Sequence, residues 1–250
     1  MCTSVTKLAV EDWLNKIKLL PLSQNTIHGY YKQLSHFLNF LFEYNYTAMF
    51  KINKDVKTRP EIKEKIVFSD EDIIKIFDTL NSKNDNLQIT VYLLFYTGLR
   101  SSDILTIKTE KVDLEHRELS YYSPKRKKYR GIAFHKDLIP VLKKIINNEK
   151  LMNKTNGRLL NFTGVESLNR ALTRYFIELK IRDKGYTART FRKTFITLAR
   201  SRYSMDATIV KELVGHEHTN TTDRYYNSVT MDAMKSELAK FKRPAEEQSN

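Results

Sequence analysis

Between Asn84 and Arg100 the chain reads NDNLQITVYLLFYTGLR. The stretch Ile89–Tyr96, ITVYLLFY, has no polar face at either helical or strand spacing. A helix that is apolar all round has to be enclosed by other elements of the same protein. It is too short for a membrane span, which needs about 20 apolar residues. Gly98 then supplies the left-handed turn that ends a helix over 87–97. The chain must therefore build several further elements around this segment, and its 250 residues suffice for one large unit or a medium one with a small companion.

Those elements are mostly helical. Leu8, Val10, Trp13, Leu14, Ile17 and Leu20 mark one face of a helix over 7–20, and a second long helix carries Ile27, Tyr30, Leu34, Leu38 and Leu41. Residues 51–66 are charged, contain Pro60 and lack periodicity, which reads as a linker. Ser69 opens a capping box ahead of Ile73, Ile76, Phe77 and Leu80. Ser101 or Ser102 is the expected cap of the next helix. Residues 117–134 read as two strands joined around Pro124. Helices follow at 136–147, 165–180, 188–203, 206–214 and 220–226, then an amphipathic segment over 230–242. The resulting plan is mainly α with a small β-hairpin: 1–50 a short helical domain, 51–66 a linker, 67–242 the main domain and 243–250 a disordered tail.

Charge narrows the partners. Lys and Arg number 43 against 29 acids, a net +14, which calls for a polyanion. No apolar run approaches 18 residues and the N-terminus is too polar for a signal peptide, so a membrane is not expected. One cysteine, Cys2, permits neither an internal disulfide nor a cysteine zinc site, and points to a reducing compartment, the cytoplasm. No paired carboxylates have the spacing for two metal ions, and no cofactor motif is present.

Four stretches carry chemistry. In YTGLRSSDIL (96–105), Arg100 offers a fork of donors that suits phosphate, and Asp103 is spaced to hold it; alone, the pair reads as a surface salt bridge. In SPKRKKYRG (123–131), Lys125, Arg126, Lys127, Lys128 and Arg130 crowd a hairpin tip that suits a DNA groove, although a solvated charge run accounts for it equally well. In YTARTFRKTFITLAR (186–200), Arg189 and Arg192 share a face near a helix N-terminus, where phosphate binds readily. In VGHEHTNTTDRYYNS (214–228), Gly215 ends a helix, His216 emerges at the turn, and Tyr225 and Tyr226 follow. A plain helix-turn-helix reader would explain that last stretch.

The order Arg, Lys, Arg-x-x-Arg, Gly-His, Tyr resembles the tyrosine recombinase, or phage integrase, family. TGLRSSDIL resembles its first arginine box, ARTFRKTF its His-x-Leu-Arg-(His or Lys)-Thr-Phe, and LVGHEHTNTTDRY its Leu-Gly-His box with a tyrosine nine residues after the histidine. The resemblance covers 65–242, and residues 1–50 look like a short form of the family's DNA-clamping domain. It implies a tyrosine recombinase catalytic fold that cleaves and rejoins DNA through a 3′-phosphotyrosyl bond. Tyr225 is then the nucleophile, with Tyr226 as fallback. Arg100 and Arg192 clamp the phosphate, His216 assists, Asp103 supports, and Lys125 is the general acid, with Lys127 and Lys128 open as alternatives. Arg189 replaces the family's usual histidine. The implied partners are double-stranded DNA, a homotetramer synapsing two sites and an accessory DNA-bending protein, and residues 230–242 are expected to dock on a neighbour. A silent DNA-binding regulator and a type IB topoisomerase-like relaxing enzyme share the scaffold.

Overall fold

The computed structural model describes residues 4–62, 64–148, 155–216 and 229–244. The chain divides into two units, one ending at Glu64 and one beginning at Lys65.

In the first unit, α1 (Lys7–Lys18) and α2 (Gln24–Glu43) are capped by the hydroxyls of Thr6 and Ser23. They bury Val10 and Leu14 against Leu38 and Leu41. The stretch read as a linker is extended but not free. Ile52 and Val56 pack on the helix pair. Lys18 Nζ donates to the Asp55 carbonyl at 3.1 Å and Gln24 Nε2 to that of Arg59 at 3.1 Å. The Asn25 side-chain amide pairs with both backbone groups of Glu61. Side chains of the two helices thus take up polar backbone that sequence periodicity could not assign.

The second unit is built around α4 (Asp85–Thr97), preceded by α3 (Asp70–Leu80). The apolar run Ile89–Tyr96 lies inside the core as its composition requires, with only Tyr92 partly exposed. After the short α5 (Ser101–Ile104), three antiparallel strands follow in the order β1 (Val112–Asp113), β2 (Glu118–Ser123), β3 (Lys128–Ala133). β1 has two residues, too few to leave a periodic signature, and its place beside β2 was not expected. The β2–β3 register sets Ser123 opposite Lys128 and Tyr121 opposite Arg130.

Among the described residues, the remaining α-helices are α6 (Leu138–Ile146), α7 (Val165–Glu178), α8 (Ala188–Thr197), α9 (Ala207–Val214) and α10 (Met231–Leu238). The helix expected over 188–203 changes to a π turn at Leu198–Arg202. Helix α10 packs on its own unit: Met234, Leu238 and Phe241 are buried, and Phe241 sits among Phe95, Tyr96, Phe195 and Tyr203. Gly131 in β3 makes room for Met231, since a Cβ there would lie 2.9 Å from the methionine methyl. In the single chain, the apolar face of the segment expected to dock on a neighbour is covered by its own unit. Of the expected disordered tail, Arg243 packs over the Phe77 ring at 4.9 Å. Residues 245–250 and the helix expected at 220–226 lie outside the described residues. Among the described residues, no helix is long and apolar enough to cross a membrane.

Candidate active site

Three turns position the site. Gly98 ends α4 at φ 59°, a left-handed conformation, and a Cβ there would lie 2.6 Å from the Phe195 ring. The chain then leaves in an extended conformation at Arg100, which itself occupies the N-cap of α5. Ser101 and Ser102, expected as caps, are helical residues of α5. At the second turn, Gly215 ends α9 at φ 71°. The His216 N–H donates to the Lys211 carbonyl and the Gly215 N–H to that of Glu212, which closes a Schellman turn and sets His216 at its end. The third is the loop Pro124–Lys127, with Lys127 at φ 51°, which joins β2 to β3 and holds Lys125 at its tip.

These turns converge on a cavity of about 690 Å³. Arg100, Lys125, Arg189, Arg192 and His216 all line it, together with Lys65 and Lys193, two cations that sequence reading passed over. Lys193 holds the His-or-Lys position of the ARTFRKTF stretch, the signal that could have found it. No carboxylate lines the cavity among the described residues. Of the hairpin lysines, Lys125 faces it, while Lys127 and Lys128 do not. Tyr225 and Tyr226 lie outside the described residues.

The guanidinium groups of Arg192 and Arg100 are held mainly by backbone. Arg192 is only 8% exposed. Its Nη1 donates to the Gly98 carbonyl at 2.9 Å and to the Val214 carbonyl at 2.5 Å, while Nη2 is buried without a hydrogen-bond partner. Arg100 Nη2 reaches the Gly215 carbonyl at 3.4 Å, and Nη1 reaches the Asp103 carboxylate at 3.4 Å. Asp103 is 0% exposed and also accepts from the Ser123 hydroxyl at 3.2 Å, so it links Arg100 to the strand that leads into the hairpin tip. The C-terminal pole of α9, where carbonyls carry partial negative charge, serves as the seat for these guanidinium groups.

Burial and like charge together shift two of these groups. Burial, reinforced by the positive charge of Arg100, lowers the Arg192 pKa to about 10. Burial also lowers that of His216, helped by Arg192, Arg100 and Arg126, so the imidazole is held neutral. A pocket lined by several cations, with one buried donor left open, is shaped for an anion with several oxygens, such as a phosphodiester.

Arg130 departs from expectation. The sequence places it in the exposed basic run, but it lies on the inward side of β3, 8% exposed, and turns to Glu212 on α9. Arg130 shares a face of β3 with the exposed Lys128, opposite the face on which Gly131 meets Met231 of α10, and at Arg130 that face is covered by α9 through Glu212 and Gly215. Among the described residues, no three of His, Cys, Asp or Glu gather as a metal site.

Residues 67–232 match the model of the phage integrase family. The chain belongs to that family, the tyrosine recombinases. A tyrosine recombinase of Thermosipho africanus is 27% identical over 210 residues, 81% of this chain and 71% of that protein. The tyrosine recombinase XerA of Saccharolobus solfataricus is 26% identical over 170 residues, 68% of this chain, and the alignment spans only 55% of the relative. Among solved structures, the Tn1549 transposon integrase in complex with circular intermediate DNA shares the fold with a TM-score of 0.65 at 18% identity, covering 94% of this chain and 85% of that one. The phage integrase match takes in every segment that lines the cavity except the one contributing Lys65.

Proposed function

We propose that this protein is a tyrosine-type site-specific recombinase that cleaves and rejoins duplex DNA through a 3′-phosphotyrosyl intermediate. The observation that carries the reading is the cavity, lined by no acid among the described residues, in which Arg192 keeps a buried, unpartnered Nη2 beside Arg100, Lys125 and His216. Family membership and the likeness to an integrase solved with DNA support duplex DNA as the partner.

In this mechanism the scissile phosphate binds with its two non-bridging oxygens toward Arg100 and Arg192. The Tyr225 oxygen attacks phosphorus as the P–O5′ bond breaks. His216, neutral in the free protein, accepts a hydrogen bond from the phenol or takes its proton. Lys125 gives a proton to the departing 5′ oxygen, which leaves as a hydroxyl. A second strand's 5′-hydroxyl then attacks the phosphotyrosine, restores a phosphodiester and releases the tyrosine. One phosphoester bond replaces another at each step, so no nucleotide triphosphate is consumed. Asp103 holds Arg100, and Arg189 contacts phosphate at the cavity edge. Two sites brought together by four copies, with an accessory DNA-bending protein, complete the proposed assembly.

The test is covalent capture. The protein is incubated with a labelled pool of nicked duplexes of randomised core sequence and run on a denaturing gel. An adduct that is lost in Tyr225→Phe and kept in Tyr226→Phe is the expected result. DNA binding with no adduct would make the chain a silent regulator. Relaxation of supercoiled DNA by monomers, with no recombinant product, would make it a topoisomerase-like enzyme.

A further inference from the structure

Arg130 is buried under the site yet does not line the cavity. Its side chain crosses from β3 to α9, where Nη2 donates to the Glu212 carbonyl at 2.8 Å and to Glu212 Oε1 at 2.5 Å. That carbonyl is the one that also accepts the Gly215 N–H in the Schellman turn. Nη1 is buried without a hydrogen-bond partner, and a Cβ at Gly215 would lie 2.5 Å from it and 3.6 Å from the Tyr121 hydroxyl. The carbonyls of Glu212, Val214 and Gly215 thus receive Arg130, Arg192 and Arg100 within a single turn.

A buried guanidinium with one nitrogen unsatisfied is a poor device for stability. Desolvation offsets most of the ion pair, and an apolar side chain of similar volume serves a core as well or better. What an apolar side chain lacks is a direction. Arg130 fixes the distance between the strand that descends from the Lys125 tip and the turn that ends in His216.

We propose that Arg130 is a positioning residue for strand cleavage: it clamps the last turn of α9 to β3, and so sets His216 and the carbonyls that aim Arg100 and Arg192. The proposal rests on the recombinase reading above for the roles of those residues. It replaces the expectation that Arg130 contacts DNA.

The experiment uses the full chain, with Arg130→Met, Arg130→Gln and the surface control Arg202→Met, whose guanidinium pairs with Asp70. Adduct formation is measured at saturating DNA on a duplex recovered from the nicked pool, and the imidazole resonances of the DNA-free proteins are recorded after ¹⁵N-histidine labelling. Arg130→Met should slow the adduct step by about 10²-fold, the usual cost of a misplaced group, with DNA affinity nearly unchanged. Arg130→Gln, which keeps an N–H donor, should regain part of the rate. A 5′-bridging sulfur in the DNA, which departs without protonation, should not restore Arg130→Met. The His216 resonance should move in Arg130→Met and stay in place in Arg202→Met.

Wild-type cleavage in Arg130→Met with an unmoved His216 overturns the proposal. So does complete rescue by sulfur, which would place the whole effect on Lys125. If Arg130→Met does not fold, Arg130→Gln carries the same comparison. Absence of any adduct with the wild-type protein would strike the recombinase reading, while the His216 resonance would still judge the clamp.

Discussion

Arg192 donates to the carbonyl of Val214 at 2.5 Å, across 22 residues of chain, and with the same nitrogen to that of Gly98 at 2.9 Å. One side chain therefore joins the ends of α4 and α9 and still keeps Nη2 for a ligand. Lysine has the charge but lacks the fork. Arg192→Lys should cut adduct formation by about 10²–10³-fold, as for loss of a transition-state donor. It should also cost about 1–3 kcal/mol in chemical denaturation, because buried carbonyls lose a partner.

Gly98 meets two constraints at once: its left-handed backbone and the Phe195 ring 2.6 Å from where a Cβ would sit. Gly98→Ala should destabilise the protein by about 1–3 kcal/mol, read as a lower urea midpoint at unchanged slope. A neutral result would show that α4 and α8 can move apart without loss.

The hairpin cations should separate by function. Lys125→Ala should slow cleavage by about 10²–10⁴-fold, the range for loss of general acid catalysis, and a 5′-bridging sulfur should restore it. Lys127→Ala and Lys128→Ala should leave the cleavage step intact and reduce the salt dependence of DNA binding, each by about one phosphate contact. Equal cleavage defects in all three would remove Lys125 from its assigned place.

His216 gives a pH signature. Its pKa is lowered in the folded protein, so between that value and the ordinary one near ~6.5 the unfolded chain binds more protons. Stability should rise with pH through that window and be independent of this group above it. His216→Gln should remove that part of the slope in thermal melts of the DNA-free protein. Bound DNA brings negative charge to the imidazole and should raise its titration midpoint in NMR.

Phe241 is fully buried among four aromatic rings. Phe241→Ala should cost about 3–5 kcal/mol, and deletion of 230–250 should destabilise the isolated chain before any effect on assembly is seen. Unchanged melting of the deleted protein would mean that this segment finds its partner elsewhere.

Sequence alone carried the helical plan because apolar spacing is a local property, and α4, α7 and the β2–β3 hairpin follow it closely. Arg100, Lys125, Arg189, Arg192 and His216 stood out through their residue types and order, and one cavity gathers them. The remainder was hidden for a physical reason. The strap over 51–62 is secured by side-chain bonds to backbone, which leave no periodicity. Arg130 looks like its neighbours in a basic run, and only its reach to Glu212 on α9 distinguishes it. The acceptors of Arg100 and Arg192 are mostly peptide carbonyls, which every residue carries.

That last feature bears on how the protein tolerates change. Substituting the exposed side chain at 211 exchanges the wallpaper and leaves the wall, so a saturation scan there would report little beyond the fit of the helix. Replacing by an ester the peptide link that carries the carbonyl of Glu212, Val214 or Gly215, which weakens the oxygen as an acceptor while keeping every side chain, is the edit that would loosen the grip on the guanidinium groups.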